Sequence, residues 1–260
     1  MYYKGIYMIT ASTKTQNKKT ESAAKPPLTG EEDVFVEEMM EKGVHLGHHI
    51  SRLHPKMASF VIGIRNTAHI IDLRKTREKL QQALNFLEGV FENGGAVLFV
   101  GTKIPVGELV KKMARQMEMP YVSDRWLGGT FTNFETMKKR IKYYVQLKEK
   151  TEKGDFSFLP KKEQRRRERE LHKLSVKFEG IKSLEKLPEA VFVCDIVKDD
   201  ICVREARRVG VPVVAIVDTN ANPETVDYPI PANDDALTSV EYILEKVKAL
   251  TEKSEKSNKK

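Results

Sequence analysis

Four histidines crowd one short stretch: His45, His48, His49 and His54. Imidazole is a common zinc ligand, so a metal centre is the first chemistry to test. The spacing argues against it. No cysteine lies nearby, H-E-x-x-H is absent, and Gly43 and Gly47 interrupt any helix that would align ligands four residues apart. The same stretch carries Arg52, Pro55 and Lys56. Small glycines such as Gly47, set beside His45, His48, Arg52 and Lys56, suit close approach to phosphates and bases.

Val100-Gly101-Thr102-Lys103 lies between an apolar run and a helical pattern. A phosphate can sit at such a helix start. Both G-x-x-x-x-G-K-[ST] and G-x-G-x-x-G are missing, so nucleotide turnover is not expected. A tight turn, with Lys103 on a backbone phosphate, is the better reading. Asp195 and Asp218 each follow an apolar run, at the carboxyl ends of predicted strands, where open α/β sheets bind ligands. Two carboxylates there suit a structural magnesium, with loop capping as the competing reading. No firm metal and no other cofactor is expected. There is no G-x-S-x-G elbow and no histidine beside Cys194 or Cys202, so no catalytic residue is assigned and both cysteines read as packing residues.

These residues need a frame. A 3.6-residue apolar period predicts a helix over 75–92, ended by Asn93-Gly94-Gly95. Strands are expected at 96–100, 121–122, 190–194, 212–217 and 228–230. Helices are expected at 105–117, 200–209 and 234–250. Buried-type strands alternating with helices predict a doubly wound α/β fold with a parallel sheet. The rhythm breaks over 131–180. Thr132 and Glu135 fit a capping box, opening a helix to about Thr151. Gly154-Asp155 turns the chain, and Pro160 opens a second helix to about Phe178. Apolar seams predict an antiparallel helical hairpin inserted in the α/β domain. The run 161–170 (KKEQRRRERE) has no apolar residue, so that end should project from the body.

The expected organisation is therefore a disordered basic tail (1–30), an α/β domain (31–130 and 181–250), the inserted hairpin (131–180) and a disordered tail (251–260). The chain of 260 residues carries a net charge of +8, and residues 131–180 alone carry +7. Residues 181–250 are acidic at −5. A basic patch confined to one segment fits a phosphate backbone. A salt-bridged solvent helix is the competing reading. No apolar run approaches the ~20 residues of a membrane span, and the start of the chain makes a poor signal peptide.

Six runs occur in fixed order: 43–48 (GVHLGH), 66–73 (NTAHIIDL), 97–103 (VLFVGTK), 125–133 (RWLGGTFTN), 215–220 (AIVDTN) and 233–235 (NDD). Together they closely resemble the bacterial-type small-subunit ribosomal protein S2 family, over roughly residues 34–250. The resemblance implies a flavodoxin-like sandwich with a coiled-coil insertion. It also implies a structural component of the small ribosomal subunit, active in translation and subunit assembly. Such a protein binds small-subunit rRNA on the solvent side, between head and body. The implied protein partners are other small-subunit proteins and the mRNA-binding protein S1. Cytoplasmic, ribosome-associated location follows, with no membrane and no small-molecule substrate. His49 and His54 stand where the family more often has Gln and Asn, and Leu53 where an aromatic is common.

The RNA-contact candidates fall in three groups. The first adds Arg65 and Asn66 to His45, Gly47, His48, Arg52, Lys56 and Lys103. The second is Arg125, Trp126, Thr130 and Asn133. The third is the basic hairpin, with Lys138, Lys139, Arg140 and Lys142 on its first helix and Arg165, Arg166, Arg167 and Arg169 on its second. A nucleotide-dependent enzyme and a protein-binding adaptor are the alternatives. The absent phosphate motifs count against the first and the short apolar seam against the second.

Overall fold

The structure, a computed structural model, describes residues 30–258. Of the tail expected over 1–30, residues 1–29 lie outside the described residues, and Gly30 opens the first helix. Helix α1 (Gly30–Glu41) leads into three short strands, β1 (Leu46–His49), β2 (Val61–Arg65) and β3 (Ala68–Ile71). Then come α2 (Leu73–Glu92), β4 (Val97–Val100), α3 (Ile104–Gln116), β5 (Tyr121–Val122), α4 (Phe134–Glu152) and α5 (Lys161–Phe178). The chain closes with β6 (Ala190–Val193), α6 (Asp200–Val209), β7 (Val213–Val217), β8 (Tyr228–Pro231) and α7 (Leu237–Asn258).

Strands β4 to β8 form one parallel sheet in the order β5-β4-β6-β7-β8. Counted from β4, that is 2-1-3-4-5, the flavodoxin-like order. Every residue of β4, β6 and β7 is buried, because helices cover both faces. Alternation splits their side chains between two cores. Val97, Phe99, Phe192, Val214 and Ile216 meet α2, α3 and α7. Leu98, Val100, Val191, Val193 and Ala215 meet α4 and α6.

The structure departs from the sequence reading, or adds to it, at four points. The three-stranded antiparallel sheet β1-β3-β2 was not read from the sequence. Its strands are four or five residues long, and its two-residue turn uses Asn66 and Thr67 rather than glycine, at φ 48° and 66°. The region 251–258 is helical, continuing α7. It is held because Thr251 is buried and Lys253 reaches Glu88 of α2 at 3.3 Å. The capping box does not form: α4 starts at Phe134 after Asn133, and the Thr132 hydroxyl is drawn to Glu205 at 3.2 Å instead. Finally, α4 lies against the body along its apolar seam. Its Met137, Ile141 and Tyr144 belong to the second core, so this helix is part of a covering layer.

Candidate nucleic-acid interface

The first group of candidates is seated on the carboxyl edge of the parallel sheet. The β1–β3 sheet and the turns after β1 are fastened to the segment after β7. The His48 amide donates to Thr219 Oγ1 at 2.9 Å, and the His54 amide donates to the Thr219 carbonyl at 2.8 Å. A Cβ on Gly47 would lie 2.5 Å from Thr219 Cγ2 and 2.9 Å from its Oγ1. The smallness of Gly47 therefore serves protein packing, where the sequence suggested room for a phosphate. His49 and His54 each cap a 3-10 turn, accepting at Nδ1 from the amides of Ser51 and Lys56. Side-chain acceptance of this kind is work that Asn also does.

The charges at this edge face one another. Asp195 and Asp218 follow β6 and β7, as expected, and both cap loops. Asp195 accepts from the amides of Val197 and Lys198 at 2.9 and 2.8 Å. Asp218 accepts from the Thr219 hydroxyl at 3.1 Å and lies 3.1 Å from His48 Nδ1. Between them sits Asp234, 2% exposed. Burial beside Asp195 and Asp218 pushes its carboxyl up to about 7, against the pull of Lys103 and His48. The Lys103 ammonium lies on Asp235, 3.3 Å from Asp234 and 3.5 Å from Asp195. Sequence reasoning did not assign Asp234 and Asp235 a role, although they stand in one of the motif runs. His48, Asp234 and Asp235 offer three ligand atoms within 4.8 Å of one another. Lys103 already supplies the positive charge there. This is also the crevice where an α/β fold of this strand order takes a ligand. Here the Lys103–Asp195 pair spans it, and Thr102 donates to Asp199 at 2.8 Å through its hydroxyl.

The remaining members of this group are more open. Arg52, Lys56, Arg65 and Asn66 are exposed, and Lys56 is paired with Glu224. His45 is half-buried; burial, with Arg65 nearby, holds it below the usual imidazole range.

The second group surrounds a loop on the other face of the sheet. Arg125 and Asn133 are exposed at its two ends. Trp126 and Thr130 are buried, at 5% and 2% exposure. The Trp126 ring packs edge-on against Phe131, and the Thr130 hydroxyl donates to the Leu127 carbonyl. Those two residues shape the loop, and Arg125 and Asn133 face solvent.

The third group holds the largest unneutralised charge. Lys139, Arg140 and Lys142 are exposed on α4 and Lys138 is half-exposed; among the described residues none of the four has an ion pair. On α5 the arginines differ. Arg167 pairs with Glu163 at 3.5 Å and Glu170 at 3.3 Å, and Arg166 reaches Glu163 at 3.9 Å. Arg165 and Arg169 are exposed, with no ion pair among the described residues. The salt-bridged reading thus holds for one stripe of α5, and the other stripe is left unmatched.

Comparison with known proteins agrees with this geometry. A family model described as Ribosomal protein S2 matches residues 39–254. The small ribosomal subunit protein uS2 of Coprothermobacter proteolyticus is 45% identical over 214 residues, covering 82% of this chain and 80% of the relative. The uS2 of Dehalococcoides mccartyi (strain CBDB1) is 44% identical over 212 residues, covering 82% and 86%. That of Borrelia duttonii is 42% identical over 207 residues, covering 80% and 82%. With the strand order, the motif runs and the matched span in agreement, the chain belongs to the ribosomal protein S2 family, a structural family and not one of enzymes.

Proposed function

We propose that this chain is a structural constituent of the small ribosomal subunit that binds small-subunit rRNA on the solvent side, between head and body. Helices α4 and α5 form an antiparallel hairpin, and its basic surface is the main rRNA contact. One observation carries the reading. Residues 131–180 hold +7 of charge, and Lys138, Lys139, Arg140, Lys142, Arg165 and Arg169 have no ion pair among the described residues. Unmatched cations on one surface release counterions when they meet phosphates. Arg125 and Asn133 extend that surface beside the first turn of α4.

Other small-subunit proteins, the mRNA-binding protein S1 among them, are the proposed protein partners, and subunit assembly is the proposed process. The location is cytoplasmic and ribosome-associated; among the described residues no helix is long and apolar enough to cross a membrane. No cofactor is required. A magnesium ion on Asp195 and Asp218 would raise the melting temperature in millimolar Mg²⁺ over EDTA, and Asp218→Asn would remove the rise. The expected result is no difference, because Lys103 and His48 already balance those carboxylates.

Sedimentation of tagged protein from lysate tests the reading. Comigration with free small subunits and whole ribosomes is expected. A lone species near 29.7 kDa at low salt overturns it.

A further inference from the structure

The loop Trp126–Thr132 has neither strand nor helix, yet it is fixed around one side chain. Glu205 reaches it from α6. One carboxylate oxygen accepts from the Gly129 amide at 2.7 Å and the Trp126 indole at 3.3 Å. The other accepts from the amides of Phe131 and Thr132 at 3.0 and 3.2 Å, and from the Thr132 hydroxyl at 3.2 Å. A carboxylate has about four lone-pair sites, so five donors fill it. Among the described residues no Lys or Arg pairs with Glu205, which is 8% exposed. Burial raises its pKa, but the donated hydrogen bonds outweigh burial and hold it below the ordinary carboxylate value. It is therefore an anion at neutral pH, and its whole coordination is given to this loop.

The loop has two consequential ends. Arg125 precedes Trp126, and Asn133 follows Thr132 and leads into α4. Clamping the middle fixes the spacing between Arg125 and the first turns of α4, where Lys138, Lys139 and Arg140 stand. Gly129 makes the clamp possible: its φ of +88°, a conformation that side chains disfavour, turns the chain between its own amide, on Oε1, and those of Phe131 and Thr132, on Oε2. We infer that Glu205 is a positioning residue of the rRNA interface, whose carboxylate sets Arg125 and the start of α4 against one stretch of phosphate backbone. This inference rests on the ribosomal reading above.

The test uses the full chain and small subunits depleted of this protein, with binding measured across a salt series. Glu205→Gln keeps the side chain's shape but turns an amide NH₂ toward N–H donors. Folded protein at 20 °C, checked by circular dichroism, should bind about tenfold more weakly, with a shallower salt slope like that of Arg125→Ala. The double variant should lose little beyond Glu205→Gln alone, because one residue acts through the other. Glu205→Gln combined with Arg169→Ala should be additive. Thr132→Val removes one donor and spares the backbone. It should weaken binding about twofold in the same direction, and it carries the cycle with Arg125→Ala if Glu205→Gln does not fold. A purely structural Glu205 would lower the melting temperature while leaving the salt slope unchanged and the Arg125 cycle additive, which overturns the inference. A null effect of Arg125→Ala also overturns it. Failure of the wild-type chain to bind overturns the ribosomal reading, and this inference with it.

Discussion

The carboxyl edge of the parallel sheet and the α4–α5 region are both crowded with charge, and they handle it in opposite ways. At the edge, Lys103 and His48 lie among Asp195, Asp218, Asp234 and Asp235, and each has carboxylates within 3.5 Å. On α4 and α5, Lys138, Lys139, Arg140, Lys142, Arg165 and Arg169 have no such partner among the described residues. Charges that satisfy one another have little left for a ligand, and their removal costs stability. Charges left open add little to folding and are available to a polyanion. The edge is thus a fastening between the small antiparallel sheet and the parallel one, although its fold position is that of a ligand crevice.

The largest expected effect lies on α5. Reversing Arg165, Arg166 and Arg167 to Glu should leave the α/β body folded while weakening binding to depleted small subunits by about a hundredfold or more at low salt. The slope of log affinity against log salt should fall by roughly one unit for each phosphate that is no longer neutralised. Within the triple variant the contributions should be unequal. Arg167 is held by Glu163 and Glu170, so Arg165→Glu alone should cost more affinity than Arg167→Glu. Intact folding with an unchanged slope would assign this arm to solvent.

At the sheet edge the same kind of change should act on stability. Lys103→Met leaves Asp234, 2% exposed, with Asp195 and Asp235 and no ammonium. Losing one partner of a buried pair costs about 3–5 kcal/mol, and the low end, about 3 kcal/mol, is expected here because the Lys103 side chain is 29% exposed; urea denaturation reads it. Binding of the folded variant should change far less than in the α5 variant. A stable Lys103→Met protein with strongly weakened binding would reverse the comparison and return Lys103 to the phosphate role.

Gly47→Ala is a smaller test of the same fastening. The added methyl group meets Thr219 Cγ2 at 2.5 Å, and overpacking of this kind costs about 1–3 kcal/mol. Thr219→Ser removes that methyl and retains the hydroxyl that accepts from the His48 amide at 2.9 Å. The Oγ1 contact at 2.9 Å remains, so the double variant should recover part of the melting temperature. No recovery would mean that the glycine serves something other than this packing.

The parallel sheet was legible because its strands are continuous apolar runs such as 97–100 and 213–217, and burial on both faces leaves that mark. The Gly210 stop of α6 was legible too, since it takes φ 78°. The antiparallel sheet was hidden because β2 exposes Ile62 and Ile64, at 56% and 62%, and so lacks a clean inside-outside alternation. The basic helices could be read from charge counts. Glu205 could not. It sits in an ordinary amphipathic helix, and its donors are backbone amides some 73 to 76 positions away, which no local pattern records. The Lys103 cluster is hidden for the same reason: Asp234 is 131 residues distant, and only the parallel topology brings the two strand ends together.

The smallest effect is a pH dependence that belongs to the edge alone. Burial beside Asp195 and Asp218 lifts the Asp234 carboxyl from 3.8 to about 7, with Lys103 and His48 pulling the other way. The Asp218 carboxylate holds His48 above its ordinary 6.5, against the effect of burial. For Asp234, the folded state binds a proton that the unfolded state has released between about 4 and 7, so stability falls as pH rises through that window. For His48, the stabilisation is complete below 6.5 and is lost as pH rises through the higher folded value, which has the same sign. Glu179, Glu189, Glu205 and Asp235 are lowered instead, and their contributions are lost only in acid, below the ordinary carboxylate range. The interval from pH 5.5 to 8 therefore reports on the sheet edge, where Asp199, raised by burial, adds with the same sign and His45, held below 6.5, opposes it. In EDTA, the melting temperature should decline across it by a few degrees. Asp234→Asn should flatten the decline and raise the melting temperature at pH 8, where the buried charge is otherwise present in full. Lysine and arginine side chains ordinarily titrate far above this interval, so Arg165→Glu should shift the whole curve without changing its slope. A decline as steep in Asp234→Asn as in the wild type would show that the charge at this edge is balanced by groups other than those around Asp234.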